Sequence, residues 1–594
     1  MRVVATAGHV DHGKSTLVRA LTGTEPDRWD EEHRRGLTID LGYVWTALPD
    51  GEQLAFVDVP GHQRYIGNML AGLGPAPAVL FVVAADEGWR EQSAEHLAAV
   101  DALGLEHGLL AVTRSDLADP APATVEALEH IGSTSLGKVE AVQVSGRTGQ
   151  GLDTLVAALS RLTATLPPPD TDARVRLWVD RSFTIRGSGT IVTGTLGAGM
   201  LRVGDRLELH DEPVTVRGLH RLDHPAQEVP AIARVAVNLR SVPQKQVGRG
   251  DVLTTPGAWH FTSVVDTRLS TDPHSLPTEL TLHLGSASLP VRVRPLGSDT
   301  ARLTVPSPIP AEPGDRAILR DPGRHAVAAG VLVLDVDPPS LRRRGAAARR
   351  AEDLRMATGT PDPRREVLRR GAARRADLTI LGVSDQDLDT LTNDPEFREV
   401  EHWLVTDTTW KSWTQALSTA VDQHAASHPL DPAIPEEAAR RATGIPDGRL
   451  LGAVAADAGL RSADGRVSRP ETVTTLGPAE PAVGELERRL AAAPFDAPDR
   501  NELAACGLGT REIAAAVATG RLMQPDPDEP TVVLLPDAPA VAVQSLQALP
   551  QPFTASQVRQ ALGSTRRVVI PLLEYLDAHG WTRRVDSTHR ELLR

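Results

Sequence analysis

Apolar and polar positions follow one pattern over roughly the first 170 residues. Short apolar runs at 3–7, 54–59, 79–84 and 109–113 alternate with stretches of helical periodicity, and each run ends at or beside Gly, Asp, Ser or Thr. Buried strands alternating with helices are typical of a doubly wound α/β domain, whose site lies at the carboxyl ends of the strands. Three consecutive prolines at 167–169 indicate the end of this domain, which we assign to residues 1–170.

From about residue 174 the period shortens to two. Alternating segments of four to seven residues are separated by turn glycines. One set of these segments extends to about residue 239, and a second set covers 264–336 and is followed by Pro338 and Pro339. Many short strands at regular spacing predict β-barrels. We assign one to 171–260 and a second to 261–338.

The remaining 250 or so residues are mostly helical, with short hairpin-like segments at 401–406, 460–467, 530–535 and 580–592. Helices followed by a terminal hairpin are typical of a winged helix. The spacing of the hairpins predicts about four such units, at 339–413, 414–478, 479–536 and 537–594. The fold class is therefore multidomain: an α/β P-loop domain, two β-barrels and a C-terminal array of winged helices.

Composition adds two constraints to this picture. An apolar content of 41% suffices for several packed cores and excludes a globally disordered chain. Charge is unevenly spread: residues 1–170 hold 12 Lys or Arg and 23 Asp or Glu, whereas residues 340–378 hold 12 Arg and 5 acids. The basic segment fits either a polyanionic partner or a solvated helix face.

Cysteine usage and hydropathy restrict the location. Cys506 is the only cysteine in the sequence, which excludes an internal disulfide and a multi-thiolate zinc site. No apolar run approaches the ~20 residues needed to span a bilayer. The first residues read as a strand and not as a signal sequence. We expect a cytoplasmic, monomeric protein without a membrane partner.

A phosphate-binding loop follows the first predicted strand. Residues 8–15 fit the pattern G-x-x-x-x-G-K-[ST] and open an apolar-periodic helix. Glycines let backbone N–H groups curl around phosphates, and the helix N-terminus favours their negative charge. Lys14 can reach the outer phosphates and Ser15 can ligate Mg²⁺. The nucleotide-binding set in this loop is Gly8, His9, Val10, Asp11, His12, Gly13, Lys14, Ser15 and Thr16.

Two further segments complete the predicted phosphate and metal site. Asp58 ends a second buried strand, where its carboxylate can hold Mg²⁺ through water, and Gly61 follows it. Thr38 is the candidate for a switch loop whose hydroxyl joins the metal when the outer phosphate is present. The predicted metal ligands are thus Ser15, Thr38 and Asp58.

The base should be recognised after the strand at 109–113. Asp116 can accept hydrogen bonds from guanine N1–H and N2–H₂, a donor pair that adenine lacks. Thr113 and Arg114 precede it, and Arg114 can lay its stem along the base. Ser145, Gly146 and Arg147, after an apolar run at 142–144, would form the last base-contacting loop. The predicted cofactors are GTP and Mg²⁺.

Residues 8–16, 36–42 and 58–62 resemble the translational GTPases around elongation factor Tu. The resemblance implies that His62 orients the water that attacks the outer phosphate, and that Val10 helps to keep this histidine away until the ribosome acts. Positioning and charge stabilisation suffice for phosphoryl transfer. The family has Asn-Lys-x-Asp at the base site, so Thr113 and Arg114 depart from its pattern; the departure concerns affinity and not the preference for guanine.

Within that superfamily, residues 180–196 and 570–584 resemble the selenocysteine-specific elongation factors, the SelB family. This resemblance implies three partners: selenocysteinyl-tRNA, the ribosome and an mRNA hairpin (SECIS) that recodes a stop codon. It also assigns hairpin binding to the last winged helix, where we expect RNA contacts from Arg566, Arg567, Arg583 and Arg584. A solvated basic face is the alternative for these arginines.

A selenol is largely ionised at pH 7, whereas the hydroxyl of serine is neutral. Fixed positive charge in a low-dielectric pocket would therefore favour selenocysteine. By resemblance to the family, Arg186 and Arg240 of the first barrel are the candidates for this selenocysteinyl pocket, and arginine suits the role because it stays charged. The alternative is that both are surface residues.

Two other functions fit the same elements. One is a general tRNA-delivery or initiation factor with an unrelated C-terminal tail. The other is a nucleotide-switched regulator whose winged helices bind nucleic acid and whose hydrolysis acts as a timer.

Overall fold

A computed structural model describes residues 1–26, 38, 40–62, 65–185, 187, 189–324, 326–471, 475–526 and 532–593. Its packing separates two compact units. The first comprises Met1–Glu366 and Arg375–Thr390, and the second Val367–Arg374 and Leu391–Arg594.

The first unit begins with an α/β domain on a six-stranded sheet of order β2-β3-β1-β4-β5-β6. All neighbouring strands are parallel except β2, which runs antiparallel to β3. The strands are β1 (Arg2–Ala7), β2 (Gly42–Ala47), β3 (Gln53–Asp58), β4 (Val79–Ala84), β5 (Gly108–Thr113) and β6 (Glu140–Gln143). The helices are α1 (Lys14–Thr22), α2 (Ile66–Leu73), α3 (Glu91–Ala102), α4 (Ala121–Gly132) and α5 (Leu152–Thr165).

Apolar residues on both faces of the central strands explain this layering. All six residues of β4, Val-Leu-Phe-Val-Val-Ala, are buried. Phe81 belongs to the core on one face and Leu80 to the core on the other. A strand buried on both sides is typical of a parallel sheet covered by helices, so the predicted doubly wound α/β domain is confirmed.

An eight-stranded sheet follows, of order β7-β16-β11-β12-β15-β9-β8 with β13 paired to β12, and β10 pairs separately with β14. The sheet curls around one apolar core, so that β7 packs on β9: a Cβ added at Gly194 would lie 2.4 Å from the carbonyl oxygen of Trp178. The strands are β7 (Arg176–Trp178), β8 (Arg181–Ile185), β9 (Gly189–Leu196), β10 (Met200–Arg202), β11 (Arg206–Leu209), β12 (Glu212–Arg221), β13 (His224–Ala226), β14 (Glu228–Pro230), β15 (Ala233–Leu239) and β16 (Val252–Thr254).

The next six strands form a closed antiparallel barrel of order β17-β20-β19-β18-β21-β22, which confirms the second predicted barrel. Inward positions alternate along the strands, as in the buried Leu280, Leu282 and Leu284. The strands are β17 (Phe261–Leu269), β18 (Glu279–Leu284), β19 (Ala287–Pro295), β20 (Thr300–Pro310), β21 (Arg316–Asp321) and β22 (Ala326–Asp335).

Helices α6 (Ala346–Leu354), α7 (Pro363–Arg370) and α8 (Arg375–Ile380) hold much of the basic segment, and the acidic helix α9 (Asp385–Thr392) follows it. Arg350 of α6 is buried and donates through Nε to Asp266 (2.7 Å), which also accepts from Arg302 (2.6 Å). Arg350 pairs with Asp335 as well. At least this arginine of the basic segment is therefore part of the packing against the barrel, a use that the sequence did not predict.

The second unit contains small three-stranded sheets, each with helices around it. The first two are β23 (Ala372–Arg374), β24 (Phe397–Val400) and β25 (Trp403–Thr406), then β26 (Ile434–Pro435), β27 (Arg461–Ala463) and β28 (Arg466–Ser468). Their helices include α10 (Asp407–Ser427), α11 (Glu436–Thr443) and α12 (Gly448–Asp457). One apolar core holds Trp410 and Leu417 of α10 together with residues of both sheets.

The third predicted winged helix has α13 (Glu480–Ala492), α14 (Arg500–Ala505) and α15 (Thr510–Ala518). Among its described residues, a single bridge between Met523 and Leu534 stands where a hairpin was expected, and residues 530 and 531 of the predicted segment 530–535 lie outside the described part. The last unit has α16 (Ala538–Leu546), α17 (Ala555–Ala561), α18 (Arg566–Ala578), β29 (Phe553–Thr554), β30 (Thr582–Arg584) and β31 (His589–Leu592).

Candidate nucleotide site

The loop between β1 and α1 takes the shape expected of a phosphate cradle. Gly8, Asp11 and Gly13 have positive φ values of 131°, 61° and 80°. Gly8 is also pressed against β4, because an added Cβ would lie 2.1 Å from the carbonyl oxygen of Val82. The buried Lys14 lies across the loop and donates through Nζ to the carbonyl oxygens of Gly8 (3.0 Å) and His9 (2.8 Å). Its ammonium group is thus held where phosphates would enter.

Three oxygens meet at the start of α1. The hydroxyl of Ser15 lies 2.9 Å from that of Thr38 and donates to the carboxylate of Asp58 (2.7 Å), which also accepts from Thr6 (2.7 Å). Burial raises the pKa of Asp58, against the opposing effects of these hydrogen bonds and of Lys14. Hydroxyl and carboxylate oxygens suit a hard cation such as Mg²⁺, whose charge would favour the ionised carboxylate. The residues present therefore fit the predicted metal.

The predicted base-binding residues surround one cavity of about 580 Å³ next to this cluster. Its lining includes Asp11, Gly13, Ser15, Thr16, Thr113, Arg114, Asp116, Ser145, Gly146 and Arg147. Sequence segments more than 100 residues apart thus converge at the carboxyl edge of the sheet, as the α/β fold requires.

The two departures from the family pattern tie this cavity to the phosphate loop. Thr113 donates through its hydroxyl to the carbonyl oxygen of His12 (2.7 Å), and Arg114 donates to that of Asp11. Carboxylates of Asp86 (3.0 Å) and Glu87 (2.8 Å) hold the same guanidinium. A threonine and an arginine therefore join the end of β5 to the loop.

His62 lies beside the phosphate loop with its side chain exposed. The preceding Gly61 packs directly on the loop, since an added Cβ would lie 2.7 Å from the backbone nitrogen of Val10. The predicted catalytic His62 is therefore the next residue along the chain after one that contacts the phosphate loop. Residues 63 and 64, which follow it, lie outside the described part.

Two buried histidines, His12 in the phosphate loop and His96 in α3, are neutral. Burial lowers the pKa of both His12 and His96 to about 3, so both rings are uncharged at neutral pH. A neutral His96 can accept through Nδ1 from the N–H of Gly8, as observed (3.1 Å). Sequence reasoning missed His96, whose only signal is a polar residue on the inner face of α3. The ring of His12 is buried, so this residue would contribute only backbone atoms to the phosphate cradle.

A second cavity of about 380 Å³ lies between strands β2 and β3 and the curled sheet, and Arg181 and Arg234 line it. Arg181 donates to Asp40 (2.7 Å) and to the carbonyl oxygen of Leu41 (3.3 Å). Arg234 is paired with Asp180 and lies over the ring of Tyr43. We call this cavity the arginine cleft.

Only one of the two arginines predicted for the selenocysteinyl pocket can be compared with the arginine cleft. Arg240 is exposed just after β15 and does not line the cleft, and Arg186 lies outside the described residues. Among the described residues, the first-barrel arginines that line the arginine cleft are Arg181 and Arg234. Arg181 stands in the sequence next to Asp180, but its partner Asp40 is 141 positions away.

The four predicted RNA-binding arginines have different surroundings in the last unit. Arg566 and Arg584 are exposed and form no ion pair among the described residues, whereas Arg583 pairs with Glu591. Arg567 donates to the carbonyl oxygen of Ala497. Arg566 and Arg567 occupy the first turn of α18, where a cation opposes the helix dipole.

Across the described residues, no helix has the length and apolar character needed to cross a membrane.

Known families match three parts of the chain. The model described as "Elongation factor Tu GTP binding domain" matches residues 1–165. "Selenocysteine-specific elongation factor, beta-barrel domain" matches 267–340, and "Elongation factor SelB, winged helix" matches 544–590. The P-loop fold, its nucleotide cavity and these matches define a GTP-binding, GTP-hydrolysing enzyme of the translation-factor class.

Curated relatives narrow the class. The selenocysteine-specific elongation factor of Escherichia coli (strain K12) is 32% identical over 450 residues, covering 74% of this chain and 73% of that protein. The one from Desulfomicrobium baculatum is 35% identical over 375 residues, 60% of this chain and 59% of its own length. The chain therefore belongs to the selenocysteine-specific elongation factor family, which confirms the predicted resemblance.

Solved structures share the fold. A crystal structure of the bacterial selenocysteine-specific elongation factor EF-Sec matches with a TM-score of 0.79 and 23% identity over 100% of both chains. Elongation factor SelB from Methanococcus maripaludis, in complex with the GTP analogue GppNHp, matches with a TM-score of 0.51 and 23% identity over 57% of this chain and 79% of that one. The multidomain architecture is therefore shared along the whole chain.

Proposed function

We propose that this GTPase delivers selenocysteinyl-tRNA to the ribosome at a recoded UGA codon while its last winged helix binds an mRNA hairpin (SECIS). The observation that carries the proposal is the combination, in one chain of this family, of a nucleotide site with a terminal winged helix that exposes arginines. The protein would act as a monomer in the cytoplasm, where ribosomes are.

The nucleotide site supports the hydrolytic part of the cycle. Lys14 would bind the outer phosphates, and the backbone of residues 8–16 would surround them. Ser15, Thr38 and Asp58 would hold Mg²⁺, which would neutralise phosphate charge. Asp116 would select guanine, and His62 would orient the attacking water once the ribosome has placed it over the outer phosphate.

Discrimination of the aminoacyl group needs positive charge close to the α/β domain. We keep Arg186 and Arg240 as candidates and add Arg181 and Arg234, because the latter two line the arginine cleft. Burial raises the pKa of Tyr43, so its hydroxyl remains a donor to Asp180 (3.2 Å). A selenolate in this cleft would meet guanidinium groups in a partly water-excluded setting.

The hairpin would be bound mainly through phosphate contacts of the last unit. Arg566 and Arg584 have guanidinium groups available to a ligand, and the N-terminus of α18 adds backbone donors. Arg583 and Arg567 would contribute less, because each already has a partner within the protein.

Two binding measurements on the full chain test the proposal. Selenocysteinyl-tRNA should bind more tightly in the presence of a GTP analogue than with GDP, and a hairpin RNA from a selenoprotein mRNA should bind more tightly than duplex DNA of equal length. Equal affinity for hairpin and duplex would favour the nucleic-acid regulator. Binding of many aminoacyl-tRNAs, without preference for selenocysteine, would favour the general delivery or initiation factor.

A further inference from the structure

Each arginine that lines the arginine cleft has an aspartate partner. Arg181 pairs with Asp40, and Arg234 pairs with Asp180. Asp180 is fixed within the curled sheet, where Arg234 and the hydroxyl of Thr193 (2.8 Å) both donate to it. Asp40 is the only one of the two aspartates that belongs to the α/β domain.

Asp40 also lies two positions after Thr38, whose hydroxyl meets Ser15 at the predicted metal site. Consecutive Cα atoms are 3.8 Å apart, so Thr38 and Asp40 cannot be separated by more than about 7.6 Å. In GTPases the segment around such a threonine is held by the metal and the outer phosphate and is released after hydrolysis. A displacement of Thr38 from the metal site would therefore be transmitted to Asp40 through the backbone.

The bonds of Arg181 show what Asp40 does for the cleft. Both described hydrogen bonds of this side chain, to Asp40 and to the Leu41 carbonyl, use Nη2. The fork of a guanidinium carries five N–H groups, so Nη1 and Nε remain able to donate to a ligand. Asp40 thus holds Arg181 in place through one nitrogen and leaves its other donors for the cleft.

We propose that Asp40 is a positioning residue that couples the bound nucleotide to the affinity for the aminoacyl group. While Thr38 is held at the metal site, Asp40 fixes Arg181 in the wall of the arginine cleft. When Thr38 is released, Asp40 moves with it and Arg181 loses its fixed orientation. This inference rests on the proposed function, because it takes the ligand of the cleft to be the selenocysteinyl end of tRNA.

The test is Asp40→Asn in the full chain, which keeps the shape of the side chain and removes its charge. Selenocysteinyl-tRNA affinity is measured with a GTP analogue and with GDP. We expect the ratio of the two affinities to fall by roughly tenfold, within the usual range of coupling between sites. The affinity with GDP should stay within about twofold, because Asp40 does not hold Arg181 in that state. By linkage, the ability of the tRNA to strengthen GTP-analogue binding should fall by the same factor.

Controls separate positioning from general damage. Asp223→Asn is the matched variant: Asp223 also lines the cleft, and the described bonds of Arg181 do not include it. This change should leave the ratio intact. In an Arg181→Ala background, Asp40→Asn should have no further effect. Seryl-tRNA should lose less affinity than selenocysteinyl-tRNA, which a purely structural role of Asp40 would not produce.

Different outcomes would overturn the role of Asp40 and the proposed function. An unchanged ratio in Asp40→Asn, an equal fall in Asp223→Asn, or additive effects with Arg181→Ala would each overturn the role of Asp40 while the wild-type chain still prefers the GTP form. A wild-type chain that binds selenocysteinyl-tRNA in neither nucleotide state would overturn the proposed function itself.

Discussion

The nucleotide site and the last winged helix present positive charge to anions in opposite ways. Around the phosphate loop, Lys14 is buried and already donates to two backbone carbonyls. On the last winged helix, Arg566 and Arg584 project into solvent without an ion pair among the described residues. The first site is organised in advance, so its geometry decides what binds. The second relies on exposed charge, so its affinity should depend on salt.

The largest difference that this comparison predicts is in acid sensitivity. A pKa near 3 for His12 and His96, against 6.5 when unfolded, means that the unfolded state binds protons more readily. Stability of the α/β domain should therefore be full above pH 6.5 and fall as the pH drops from 6.5 towards 3. By linkage, each histidine would cost about 2 kcal/mol at pH 5.

Denaturant unfolding at pH 7.5 and pH 5, with hydrogen exchange followed separately in β1 and in α18, measures this difference. The strand should lose protection at pH 5 well before the helix does. His96→Gln, which removes one titrating ring, should weaken the pH dependence of β1. Parallel loss of protection in both regions would show that the acid sensitivity does not come from the buried His12 and His96.

His62→Ala should reduce ribosome-stimulated GTP cleavage by ~10²-fold or more, because a positioning group acts mainly in the transition state. Nucleotide affinity should change little, since the side chain is exposed and lies outside the base cavity. Single-turnover cleavage on ribosomes gives the rate. A variant that still cleaves within a few-fold of the wild-type rate would show that His62 does not orient the attacking water, whereas loss of the fold would indicate a structural turn residue.

Asp116→Asn should move the preference from GTP to xanthosine triphosphate, since an amide can donate to the 2-carbonyl that replaces the guanine amine. We expect a loss of GTP affinity of at least about tenfold, from one lost charge-assisted interaction. Competition binding with both nucleotides measures the change. A folded variant that binds neither nucleotide would show that Asp116 has a structural role in its loop.

The smallest expected effect lies at the open site. Changing Arg566 and Arg584 together to Ala should lower the salt slope of hairpin binding by about two, one for each lost phosphate contact. Filter binding of hairpin RNA to the full chain over a range of salt concentrations measures the slope. Arg583→Ala is the matched control and should change it less, because Arg583 is already paired with Glu591. A slope that stays unchanged in the double variant would place the RNA contacts outside these two residues.

Sequence patterns predicted those parts of the molecule whose physics is local. A phosphate cradle needs contiguous backbone, so residues 8–15 were sufficient to identify it, and the fully apolar β4 was sufficient to identify a covered parallel strand. Hairpins at three of the four predicted places in the second unit were found from short alternating segments for the same reason, whereas the described residues around 530–535 form only a single bridge.

Long-range pairing could not be predicted in this way. Arg350 stands in an arginine-rich segment that fits a solvated face, yet it is buried against Asp266, which lies 84 positions earlier. Arg567 was grouped with the RNA contacts although it donates to Ala497, 70 positions earlier. An arginine shows its charge in the sequence, but only the fold shows whether that charge already has a partner.

Helix α10 gives the second unit a mechanical property. Its 21 residues correspond to a rod of about 30 Å, and Trp410, Trp413, Leu417 and Val421 pack in the one apolar core that also holds residues of both sheets. We therefore expect the first two winged helices to move together as one rigid body. A rigid spacer holds two ligands at a set separation without the entropy loss of a floppy linker, so lengthening it by whole helical turns would shift the distance in steps of about 5.4 Å.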